Sequence, residues 1–140
     1  MPITLENYIN GGFYPPVNGK YLKSENPATT EVLNLVPDSV AEDAEAAIDA
    51  AETAFKTWSK TSVKTRSDFL LKIADAIEAE MDSLVAAESA DQGKPVGLAR
   101  MVDIPRAAYN FRFFGQNILH ETSKCSHARW TKKRRLFAIF

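Results

Sequence analysis

The clearest periodicity in the chain runs from Val40 to Trp58. Val40, Ala44, Ala47, Ile48, Ala51, Ala54, Phe55 and Trp58 recur at three- and four-residue steps, with Glu42, Asp43, Glu45, Asp49 and Glu52 mostly between them. That spacing predicts an amphipathic helix with a flat, alanine-rich apolar face. Ser39 and Glu42 stand three apart at its start, the spacing of a capping box. A second stripe, Phe69, Leu70, Ile73, Ile77, Met81, Leu84 and Val85, loses phase near Glu80-Met81-Asp82, so two helices are expected to abut there. Thr61 or Ser62 is positioned to cap the first of them. Gly93 should end the second, because glycine takes a left-handed cap conformation without a Cβ clash. Pro95 then opens a further helix to about Gln116, carrying Val96, Leu98, Val102, Ile104, Ala108, Phe111 and Phe114 on one face, with Pro105 as a kink or first-turn residue.

Before Val40 the period shortens to two. Tyr8-Ile9 and Phe13-Tyr14 flank Asn10-Gly11-Gly12, which predicts a tight hairpin whose central residues need positive φ. Pro15-Pro16 closes that strand. Tyr21–Ser24 and Val32–Val36 read as two more strands, joined by the turn chemistry of Asn26-Pro27-Ala28-Thr29-Thr30. The fold class expected of this stretch is α+β: short β-hairpins followed by four helices.

Charge divides the chain. Of 17 basic and 18 acidic residues, residues 1–122 hold 11 basic and all 18 acidic ones, a net of −7. Residues 123–140 hold Lys124, Arg129, Lys132, Lys133, Arg134 and Arg135 and no acid, which marks them as a divergent basic tail. The single cysteine, Cys125, excludes a disulfide framework and a cysteine-cluster zinc site. The N-terminus has neither a basic start nor an apolar run, and no segment approaches a membrane span. A cytoplasmic protein with no membrane partner is the expectation.

Each candidate for chemistry has a plainer reading. No Gly-x-Gly-x-x-Gly occurs, and Gly93-Lys94 lacks a following Ser or Thr, so Gly93-Lys94-Pro95 reads as a helix junction. His120, Cys125 and His127 lack further ligands at metal spacing and lie in a polar stretch. Asp91, Asp103 and Arg106 invite a charged-site reading, but Asp103 and Arg106, three apart on one expected helix, read as a surface ion pair. Tyr109, Phe111, Phe113 and Phe114 could stack on bases but fit core or subunit-interface packing better. Lys132–Arg135 matches a basic address or nucleic-acid patch, against which stands a solvated tail. A nucleic-acid partner is not expected. From its own residues the chain is assigned no catalytic, cofactor-binding or metal site.

Several runs nevertheless resemble one family. Tyr8-Ile9-Asn10-Gly11-Gly12-Phe13, the Asn26-Pro27-Ala28-Thr29 turn, Ala47–Trp58, Arg66–Glu78, Glu88–Pro95, Asp103-Ile104-Pro105-Arg106 and Asn110–Phe114 resemble the N-terminal region of the NAD(P)-dependent aldehyde dehydrogenases. The last two runs look closest to the 2-aminomuconic semialdehyde dehydrogenase branch. The resemblance covers residues 6–122 and implies that 1–122 is the N-terminal part of a cofactor-binding domain, without the parallel sheet that follows. It implies NAD as cofactor of the complete enzyme, which oxidises an aldehyde to a carboxylic acid through a cysteine thiolate and a glutamate. Those parts have no counterpart here: Cys125, in Ser-Lys-Cys-Ser-His, does not match the family's Gly-Gln-x-Cys. Neither turnover nor NAD binding is therefore expected of this chain alone. In some members a monovalent cation site would map to Ser24, Glu25 and Asp103, an assignment we do not adopt. Helix faces deprived of the later sheet should be exposed, and the partners this implies are aldehyde dehydrogenase subunits. Three readings follow: an inert N-terminal piece of such an enzyme, an interaction protein that binds its subunits, and a basic-tailed nucleic-acid factor.

Overall fold

In the computed structural model, residues 2–120 are described. Five short strands lead into a helical layer. They are β1 (Ile3–Thr4), β2 (Asn7–Ile9), β3 (Gly12–Tyr14), β4 (Tyr21–Glu25) and β5 (Val32–Pro37). The helices are α1 (Ala41–Trp58), α2 (Val63–Ala79), α3 (Met81–Gln92) and α4 (Val96–Leu98). A π-helical turn over Ala99–Asp103 then leads into α5 (Ile104–Asn117). The expected α+β class is what forms.

β2 and β3 pair antiparallel through Ile9↔Gly12, with Asn10 (φ 50°) and Gly11 (φ 82°) in the turn, as the Asn-Gly pair demands. β4 and β5 form the second antiparallel pair, with Leu22 opposite Val36. β1 adds to the far edge of β5 in parallel, Ile3 opposite Asn34, giving the sheet order β1-β5-β4. This two-residue strand was not expected, since so short a segment shows no alternation.

α1 starts one residue later than the capping box placed it. Val40 is the N-cap residue, and Asp43, not Glu42, reaches back to accept from the Val40 N–H at 2.9 Å. The other oxygen of Asp43 accepts from the Val17 N–H at 3.0 Å, so this buried carboxylate ties α1 to the loop after the hairpin. Ser39 instead donates to Asn7 Oδ1 at 2.9 Å. Ser62 does cap α2, its Oγ accepting from the Thr65 N–H at 3.0 Å. Glu80 separates α2 from α3 where the stripe lost phase.

The core lies where α2, α3 and the C-terminal helices meet. Val85, Ala99 and Ile104 are buried together, flanked by Ile77, Met81 and Leu84. α2 and α5 pack closely because Gly115 presents no side chain: a Cβ there would lie 3.1 Å from Leu70 Cβ. The expected single helix from Pro95 to Gln116 is broken, for a definable reason. Proline has no N–H, and in a regular α-turn its ring collides with the carbonyl four residues back, here Met101. The chain widens instead, with the Ile104 N–H bonding to Ala99 O. Residues five apart point to different sides of an α-helix; the wider turn brings Ala99 and Ile104 to the same core.

Candidate functional site

The densest charged arrangement sits at the α3–α4 junction. Gly93 ends α3 at φ 68°, and Pro95 (φ −58°, ψ 135°) leads into α4. Between them the Ser89 hydroxyl donates to the Lys94 carbonyl at 2.7 Å, which fixes the backbone. The Lys94 ammonium then donates to Glu88 Oε1 and Asp103 Oδ2, both at 2.9 Å. All three side chains are about two-thirds to three-quarters covered.

Hydrogen bonds to Glu88 and Asp103, with the attraction of both carboxylates, hold the Lys94 pKa above the ordinary lysine range. A lysine so held stays protonated at neutral pH and cannot serve as a base or carbonyl nucleophile. The charge on Lys94 is complete at neutral pH and is lost as pH rises through that raised value. The cluster therefore fixes a junction. It also corrects the expected pairing of Asp103 with Arg106: Asp103 is engaged by Lys94, nine residues back.

Beside it runs an open groove of about 550 Å³ between the sheet edge (Ile3, Leu33) and the helices (Leu84, Ile104), with Glu88 and Asp91 on its rim. A mostly apolar groove with an acidic rim has no group suited to hold a phosphate. The helix starts agree. Glu42 and Asp43 occupy the first turn of α1, and at α2 the Ser62 hydroxyl already takes the Thr65 N–H. Neither this groove nor these two helix starts fits a dinucleotide phosphate.

Ser24 and Glu25 lie in β4, and the Asp103 carboxylate is engaged by Lys94. No group of three His, Cys, Asp or Glu residues is placed to hold a metal among the described residues. Asp91 accepts from Gln92 at 3.0 Å, and His120 is exposed. Cys125, His127 and the Lys132–Arg135 run lie outside the described residues.

Tyr109, Phe113 and Phe114 form a ring cluster on α5, with centroids 6.2 and 5.3 Å apart. They are exposed, so within residues 2–120 they are not core. The sequence reading also missed Arg112. It bridges α5 to α2 through Asp75 at 2.9 Å and Glu78 at 2.7 Å, and these hydrogen bonds raise its pKa. The three residues lie on two helices, and the one sequence signal was an arginine interrupting an aromatic run.

The aldehyde dehydrogenase family profile matches residues 14–138. The chain belongs to the aldehyde dehydrogenase family. The match runs past Thr122 into the segment read as a divergent tail. Over 124 residues the chain is 52% identical to the 2-aminomuconic semialdehyde dehydrogenase of Danio rerio, covering 89% of this chain and 25% of the relative. It is 45% identical to the Homo sapiens enzyme of that name over the same shares. Among solved structures, the NAD+ complex of a Bacillus cereus aldehyde dehydrogenase superposes with a TM-score of 0.76 at 34% identity, over 83% of this chain and 24% of that one. An indole-3-acetaldehyde dehydrogenase shares the fold, with a TM-score of 0.85 at 24% identity, over 92% of this chain and 30% of that one. The family resemblance and its 2-aminomuconic semialdehyde branch are thus borne out. This aldehyde dehydrogenase chain spans about a quarter of the length of the curated relatives it matches.

Proposed function

We propose that this chain forms the N-terminal quarter of an NAD-dependent enzyme that oxidises an aldehyde of the 2-aminomuconic semialdehyde type to its carboxylic acid, and that its 140 residues alone do not turn over. The observation that carries the reading is 45–52% identity to 2-aminomuconic semialdehyde dehydrogenases across 89% of this chain. Inactivity of the chain alone is supported by a sequence without Gly-Gln-x-Cys and, among the described residues, by α1 and α2 starts that are not suited to phosphate. NAD, the hydride acceptor of such a reaction, belongs in this proposal to the complete enzyme. The role of residues 1–120 is to build the α2–α5 layer and the junction held by Lys94. A cytoplasmic setting is part of the proposal; the lone cysteine agrees with it. No helix among the described residues is long and apolar enough to cross a membrane.

A chimera tests it. Residues 1–122 would replace the matched quarter of the Danio rerio enzyme, and NADH formation would be followed with a panel of aldehydes. The chimera should keep activity within about tenfold of the parent, a loss of at most ~1.4 kcal/mol in transition-state stabilisation. The 140-residue chain should give none. A soluble, helical but inactive chimera would sink the reading, as would turnover by the chain alone. The second reading, a protein that binds aldehyde dehydrogenase subunits without catalysis, draws on the exposed apolar helix faces.

A further inference from the structure

α1 is an amphipathic helix of 18 residues in which Asp43 is the one buried residue. Its apolar stripe faces outward: Ile48, Phe55 and Trp58 are exposed, and so are Ala44, Ala47, Ala51 and Ala54. Within residues 2–120 it is held by Asp43 and the neighbouring β2, which lies beside Ala44 and Ala47, at one end, and by the edge-on contact of Trp58 with Phe69, centroids 5.3 Å apart, at the other. Helical stability in proteins comes mainly from burying such a face, not from propensity. Yet α1 forms over its full 18 residues, and in the Bacillus cereus aldehyde dehydrogenase on which the chain superposes about three quarters of the polypeptide lies beyond the matched part. The surface is built for close approach. The alanines leave it flat, and a shallow pocket of about 490 Å³ beside Ala51 and Phe55 can receive an apolar side chain.

We infer that the Ala47–Ala51–Phe55 face of α1 is a docking surface for the remaining three quarters of an aldehyde dehydrogenase subunit, and that it accepts this partner even as a separate polypeptide. The inference rests on the family reading under Proposed function and adds association between chains to it. The acidic residues Glu45, Asp49 and Glu52 flank the stripe, so the partner surface is apolar with a basic or neutral border.

The test is co-expression of the full 140-residue chain with the Danio rerio 2-aminomuconic semialdehyde dehydrogenase lacking its matched N-terminal quarter. The two should co-purify in equal amounts. Ala51→Arg, which puts a charge on the docking face, should weaken capture at least about tenfold. Thr53→Arg, exposed on the opposite side of α1, with equal helicity by circular dichroism, should leave it unchanged. A second measurement needs no fragment: α1 amides should exchange rapidly in the chain alone and at least about tenfold more slowly in the single-chain chimera. Equal exchange in an active chimera would overturn the docking surface while leaving the proposed function intact, whereas an inactive chimera would remove the function itself. Capture indifferent to Ala51→Arg would overturn the inference. A self-association lost with Ala51→Arg and unaffected by the fragment would overturn it too, giving the face to a second copy.

Discussion

At the scale of single residues, Gly93 carries more of the fold than its lack of a side chain suggests. It sits at φ 68°, and a Cβ there would lie 2.8 Å from Pro27 Cγ and 3.1 Å from the Ala28 N atom. The first contact is with a constrained ring and the second with backbone, so neither yields cheaply. The left-handed conformation costs a non-glycine residue about 1–2 kcal/mol before any clash is counted. Gly93→Ala should therefore destabilise the chain by about 2 kcal/mol or more, lowering Tm by roughly 5–10 °C. Gly97→Ala is the control, because a Cβ there meets nothing within 4 Å. Thermal melting of the two variants checks this, and equal Tm values would refute it. Gly93 was legible in the sequence as a helix stop. Its second role, letting the Asn26–Thr30 turn seat against the end of α3, was not, since nothing local couples positions 27 and 93.

Among elements, the α2–α5 contact shows the same division between local signal and packing. The last four carbonyls of a helix lack partners within it. Gly115 O is one of these in α5, and the buried Ser67 hydroxyl of α2 donates to it at 2.6 Å. Ser67→Ala leaves that carbonyl buried without this partner, at a cost of about 1–3 kcal/mol. The expected outcome is a lower Tm with unchanged α-helical content; a Tm equal to that of the parent would refute the capping role. The helices themselves were legible because their apolar residues repeat. The π-turn was not. Pro105 announced an irregularity but not its form, and a regular helix was assumed through residues 103–106. The mistaken Asp103–Arg106 pair has another cause: the backbone stays right-handed helical at Asp103 and Ile104, but Lys94 takes the Asp103 carboxylate at 2.9 Å. The Lys94 cluster was invisible because it joins residues across a junction whose angle Gly93 and Pro95 set.

On the scale of the whole molecule, what is exposed says more than what is buried. Every phenylalanine among the described residues, Phe13, Phe55, Phe69, Phe111, Phe113 and Phe114, is exposed. The largest fully buried side chains are Val85 and Ser67. A self-sufficient domain of this length normally sequesters its aromatic residues, which supply much of the apolar area that offsets chain entropy. Exposed apolar surface on this scale marks a surface made to be covered. The purified chain should accordingly bind an apolar fluorescent dye several-fold more strongly than an ordinary folded protein of its size. Its apparent mass should rise with concentration. In the chimera, where the rest of an aldehyde dehydrogenase is present, the dye signal per molecule should fall toward that of the parent enzyme. A dye-silent monomer would show that residues 2–120 bury their aromatics in solution by some other packing. Dye binding that persists in the chimera would place the exposed surface away from the rest of the subunit. The expected pattern, strong binding alone and weak binding in the chimera, would tie the exposed aromatics to the remainder of the enzyme.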